Sequence, residues 1–86
     1  MNAVNHSVLP TSSTAQPVRL AIAAFPVLVS YVRPDTWSIT ERIGQSLVRH
    51  GQLRHVGGRY DVSTAAGLEC SALSWATAVE QFFRRR

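Results

Sequence analysis

Ser38 to Ser63, SITERIGQSLVRHGQLRHVGGRYDVS, is the stretch on which the fold turns. Its second half carries the plainest local pattern. Gly57-Gly58 supplies two adjacent residues free to take the positive φ values of a two-residue hairpin turn. Such a turn fixes the register: Val56 faces Arg59, His55 faces Tyr60, Arg54 faces Asp61, and Leu53 faces Val62. One face then carries Leu53, His55, Tyr60 and Val62, and the other pairs Arg54 with Asp61. A hairpin over 52–63 is expected. In the first half, Ser38-Ile39-Thr40-Glu41 has the form of a capping box. At 100° per residue, Ile39, Ile43, Leu47 and His50 share a face, with Arg42, Gln45 and Arg49 along the adjacent flank. The spacing predicts a helix from about 39 to 50, closed by Gly51.

Working outward, Arg33-Pro34-Asp35 reads as a turn. Before it lies Val18 to Val32, VRLAIAAFPVLVSYV, the most apolar part of the chain. Val27 to Val32 suits a buried strand; two short helices broken at Pro26 is the alternative. Residues 1–17 contain no Lys, Arg, Asp or Glu and show no period, so they read as a disordered arm before a single domain over 18–86. On the other side, Leu68, Ala72, Trp75, Ala76, Val79, Phe82 and Phe83 fall within an arc of roughly 120° at helical spacing. A final helix over 66–84 is expected, with Glu80 and Arg84 at i,i+4. Its stripe through Trp75, Val79, Phe82 and Phe83 either closes the core or meets a partner, a second copy included.

The expected architecture is therefore α+β, in the order strand, helix, β-hairpin, helix. An 86-residue chain holds one core, because a second would leave neither closed. Enclosed-pocket enzyme folds do not fit this length, and a non-enzymatic module is expected. The basic residues are nine arginines against five acids, a net charge of +4, which suits an anionic partner: nucleic acid, an anionic membrane face or an acidic protein surface. Codon bias in a GC-rich genome gives arginine without lysine equally well. The single cysteine, Cys70, points to a reducing, cytoplasmic setting. The 13-residue apolar run from Leu20 to Val32 falls short of the about 20 that a spanning helix needs.

Residues 38–63 resemble the recognition helix and wing of the winged helix-turn-helix family. The matching positions are the cap at Ser38, apolar Ile39, Ile43 and Leu47, the helix-ending His50-Gly51, Leu53 opening the wing, and Gly57-Gly58 at its tip. The resemblance implies a DNA-binding transcriptional regulator. It places Thr40, Arg42, Gln45 and Arg49 near base edges or phosphates, and Arg54 and Arg59 on the backbone from the wing. Arginine presents a planar fork to guanine and phosphate, and glutamine can read adenine. The plain alternative is that these residues form the solvated side of an amphipathic helix.

A second function class is a modulator of the phage- or plasmid-type inhibitor or adaptor kind. It would dock on a host complex through Trp75, Phe82 and Phe83 or through the arginines. Other chemistry finds little footing. His50, His55 and Cys70 match no zinc spacing, no phosphate-cradling loop is present, and Cys70 has no positive charge nearby in sequence, so no metal, cofactor or catalytic residue is expected.

Overall fold

A computed structural model describes residues 8–22 and 26–84. Six strands follow one another across one antiparallel sheet: β1 (Val18–Leu20), β2 (Val27–Arg33), β3 (Thr36–Ile43), β4 (Ser46–Val56), β5 (Arg59–Thr64) and β6 (Gly67–Ala72). The helix α1 (Trp75–Arg84) comes last. The fold is thus a β-meander with a C-terminal helix. It is not the expected strand-helix-hairpin-helix arrangement, and no helix pair of winged-helix type occurs among the described residues.

The largest correction falls on residues 39–50. They form β3, a turn and β4 instead of a helix. The same residues that repeat at helical spacing also alternate: Trp37 and Ile39 point into the core, while Ser38, Thr40 and Arg42 lie on the other side. Thr36, Trp37, Ile39, Thr40 and Ile43 are β-branched or aromatic and fit a pleated surface better than a helix. Gly44, at φ 64°, shares with Gln45 the two-residue connection between paired Ile43 and Ser46. The helical face dissolves accordingly: Ile39 is fully buried, whereas Leu47 is 64% exposed. Ser38 and Glu41 cap nothing. Ser38 pairs with Ser30 in the sheet, and Glu41 bonds to His50.

The hairpin over 52–63 forms in the expected register, with Arg54 opposite Asp61 and His55 opposite Tyr60. Gly57 and Gly58 make its turn at φ 55° and 81°. Val27 to Val32 is strand, as the first of its two readings had it. The final helix is shorter than expected. Residues 67–72 are the edge strand β6, and Leu68 lies 63% exposed on it.

One face of the sheet carries the core. Val27, Val29, Ile39, Leu53 and Val62 are fully buried there, each stabilising by roughly 1.5–3 kcal/mol. Trp75, Ala78, Val79 and Phe82 recur at i, i+3, i+4 and i+7 and seat α1 over β5, β6 and part of β4. Of the segment read as an arm, residues 1–7 lie outside the described residues. Leu9 is buried with the core, and the Trp37 indole N–H donates to the Pro10 carbonyl at 2.7 Å.

Candidate nucleic-acid interface

Because side chains alternate along a strand, cross-strand pairing sorts them into rows on each face. On the face turned away from α1, one row runs Arg19, Leu28, Thr40, Arg49 across β1 to β4. The next holds Ser30, Ser38, Gln52, Ser63 and Leu68, from β2 to β6. A third runs Arg33, Thr36, Arg54, Asp61, Ser71. Arg42 stands beside Leu47 beyond the first row, and Arg59 beside Val56 beyond the third. Two arginine rows therefore flank a row of short hydroxyl and amide side chains.

Arg19, Arg33, Arg42, Arg49, Arg54 and Arg59 are all exposed. Asp61 is the acid that the register places among them. Its Oδ1 accepts from Ser71 Oγ at 2.6 Å and from Arg59 Nε at 3.1 Å. The Ser71 hydrogen bond holds the Asp61 carboxyl below its ordinary range, opposed by partial desolvation and reinforced by Arg59 and Arg54. Among the described residues, Arg19, Arg33, Arg42, Arg49 and Arg54 form no ion pair. The other acids are engaged elsewhere. Glu41 bonds to His50, Asp35 lies 3.5 Å from His55, Glu69 accepts from Thr64, and Glu80 sits 3.8 Å from Arg84.

Between the first two rows the surface is dented. β4 continues past the point where β5 turns away, leaving an open hollow of about 480 Å³ between the strands, lined by Arg49, Gln52 and Ser63 from this face and by His50, Gly51, Thr64 and Ala65. Gly51 lies in its floor. A Cβ there would come within 2.4 Å of the Ser63 carbonyl oxygen, so only glycine lets the two backbones approach this closely.

Five of the six residues proposed from sequence, Thr40, Arg42, Arg49, Arg54 and Arg59, share this face, although strands rather than a helix and wing bring them there. Gln45 is apart from them, exposed in the turn at the tip of β3 and β4. Arg19 and Arg33 were missed. Strand alternation through β1 is the signal that would have found Arg19; Arg33 reaches this face through the bulge after Tyr31, which alternation from Val27 and Val29 does not reveal. The proposed protein-contact stripe turns inward: Trp75, Val79 and Phe82 are buried in the core, and Phe83 is half-buried against the His50 ring at 5.1 Å. His50, His55 and Cys70 are engaged separately. His55 stacks on Tyr60 at 4.6 Å, and the Cys70 thiol donates to the Ala78 carbonyl. Among the described residues no group of three His, Cys, Asp or Glu side chains is placed to hold a metal ion, and no helix is long and apolar enough to cross a membrane.

No family model matches the chain, and no curated protein or solved structure does either.

Proposed function

We propose that this protein is a small non-enzymatic module that binds nucleic acid through the sheet face opposite α1. The observation that carries the reading is the placement of Arg19, Arg33, Arg42, Arg49, Arg54 and Arg59 on one exposed face with a single acid among them. A surface of one sign attracts a polyanion and speeds encounter with it. Hydroxyl and amide groups between the arginines suit phosphate and sugar oxygens.

Docking on a host protein through Trp75, Phe82 and Phe83 loses its basis, because the first two of those rings are held inside the fold. An acidic protein surface remains the competitor for the arginine face. Fluorescence anisotropy of labelled polynucleotides, single- and double-stranded, at low salt tests the proposal. Binding that weakens with salt and with Arg49→Ala supports it. No binding by any polynucleotide at about 20 mM salt, where screening is weak, overturns it.

A further inference from the structure

Three features of the arginine face bear on which nucleic acid it suits. The first is what the face lacks. By register its rows contain Ser, Thr, Gln, Asp, Arg and a few aliphatic residues, but no Trp, Tyr, Phe or His. The rings of the sheet, Trp37, Tyr31, Tyr60, His50 and His55, belong to the core side, where His50 packs edge-on against Phe83 while also lining the hollow beside Arg49. Surfaces that hold single strands combine positive charge with rings on which unstacked bases lie, each worth about 1–3 kcal/mol. This face offers charge without a stacking platform.

The second feature is spacing. Arg49 and Arg54 lie on one strand, five residues apart with a bulge between Ile39/Gly51 and Thr40/Arg49 absorbing one of them. At about 3.3 Å per residue the two rows are roughly 13 Å apart, close to the about 12 Å width of the B-DNA major groove. The third feature is depth. The row between the arginines is built of Ser30, Ser38, Gln52 and Ser63, all half-buried, and it is dented further by the hollow beside Arg49. Short recessed side chains on a broad sheet do not reach base edges at the floor of a groove.

Resting on the nucleic-acid reading above, we infer that the partner is double-stranded DNA, held by its two phosphodiester backbones on either side of one groove, without readout of base sequence. The Arg19/Arg49 row takes one backbone and the Arg33/Arg54 row the other. The serine and glutamine row spans the groove between them.

The test compares, with the full-length protein, two 20-base-pair DNA duplexes of unrelated sequence, a 20-nucleotide single strand and a 20-base-pair RNA duplex (about 20 in each case, long enough to cover the sheet at 3.4 Å per base pair). The expected result is equal affinity for both DNA duplexes, and at least roughly tenfold weaker binding of the single strand and the RNA duplex. With four arginines engaged, raising salt from about 50 to 200 mM weakens duplex binding about a hundredfold, and Arg49→Ala and Arg54→Ala each lower the salt slope by about 1. Gln81→Ala, exposed on α1 and away from the arginine face, leaves affinity within about twofold. Circular dichroism confirms that each variant is folded.

A single strand or RNA duplex bound as tightly as duplex DNA, or a strong preference for one DNA sequence, overturns the inference and leaves the nucleic-acid reading standing. Failure of every polynucleotide to bind overturns both.

Discussion

His50 Nε2 lies 2.8 Å from Glu41 Oε1, across the bulge where β4 departs from regular pairing with β3. The bulge puts His50 on the core side, where its ring meets Phe83 and Phe82 edge-on at 5.1 and 6.4 Å. One imidazole thus ties two strands to the C-terminal half of α1. His50→Ala removes the aromatic contacts and leaves the Glu41 carboxylate, only 12% exposed, without this partner. The expected cost is about 2 kcal/mol, read as a lower urea midpoint with an unchanged m-value.

Gly51→Ala tests the close approach of β4 to β5. The added methyl meets backbone, the Ser63 carbonyl, and not the end of a flexible side chain that could swing away. One strand has to move, at an expected cost of roughly 1–3 kcal/mol in chemical denaturation. Gly57→Ala meets no atom within 4 Å, so its cost comes only from the positive φ of 55°.

The two halves of residues 38–63 differ in how openly they declare their structure. Residues 52–63 were legible because turn chemistry, alternation and cross-strand charge pairing agree over a short span, and all of that information is local. Residues 38–50 satisfy two periods at once: Ile39, Ile43, Leu47 and His50 repeat like a helix, while Trp37, Ile39 and Glu41 alternate like a strand. Pairing with β2 on one side and Leu53 and Gly51 on the other decides between them, and neither partner is visible within the segment. Residues 67–72 misled for a related reason. Leu68 and Ala72 prolong the apolar stripe of α1 backward, yet Gly67 at φ 115° opens a strand and the helix begins after Ser74, whose carbonyl accepts the Ala78 amide. The candidate arginines came out on one face because cross-strand pairing gathers them and the bulge at His50 brings Arg49 to the side of Arg54, a relation that a helical reading of 39–50 could not express.

Asp61 gives a pH prediction with a fixed sign. Its carboxyl titrates lower in the folded chain than in an unfolded one, chiefly through the Ser71 hydroxyl. The stability it contributes is therefore present above its unfolded pKa of about 3.9 and is lost as pH falls through the lower folded value. Ser71→Ala raises the Asp61 titration midpoint toward the ordinary range, followed by the carboxyl carbon shift in NMR. A midpoint unmoved by Ser71→Ala would show that the arginines, not the hydroxyl, govern it.

The same carboxylate tempers the arginine face. Asp61→Asn releases Arg59 from its ion pair and removes the negative charge opposite Arg54. Duplex affinity at low salt is expected to rise severalfold, with a steeper salt dependence, because about one more phosphate contact becomes available. Anisotropy titration of wild type and variant side by side measures it.

Trp37→Phe keeps a large ring in the core while deleting the indole N–H that donates to the Pro10 carbonyl. The orphaned buried carbonyl costs about 1–3 kcal/mol. Proteolysis within residues 11–16, all exposed, is expected to accelerate in the variant as the segment around Leu9 loosens.

Each strand pairs with its immediate neighbour in the chain, and the four connections from β2 to β6 are two residues long. Ring-closure entropy is therefore small at every step, and contact order is low for an all-antiparallel sheet. Assembly can zip hairpin by hairpin from any of those turns. The seating of α1 and the Trp37–Pro10 clasp bring more distant parts of the polypeptide together, while most strand pairing is between chain neighbours, so refolding faster than is usual for sheet proteins of this size is built into the order of the strands.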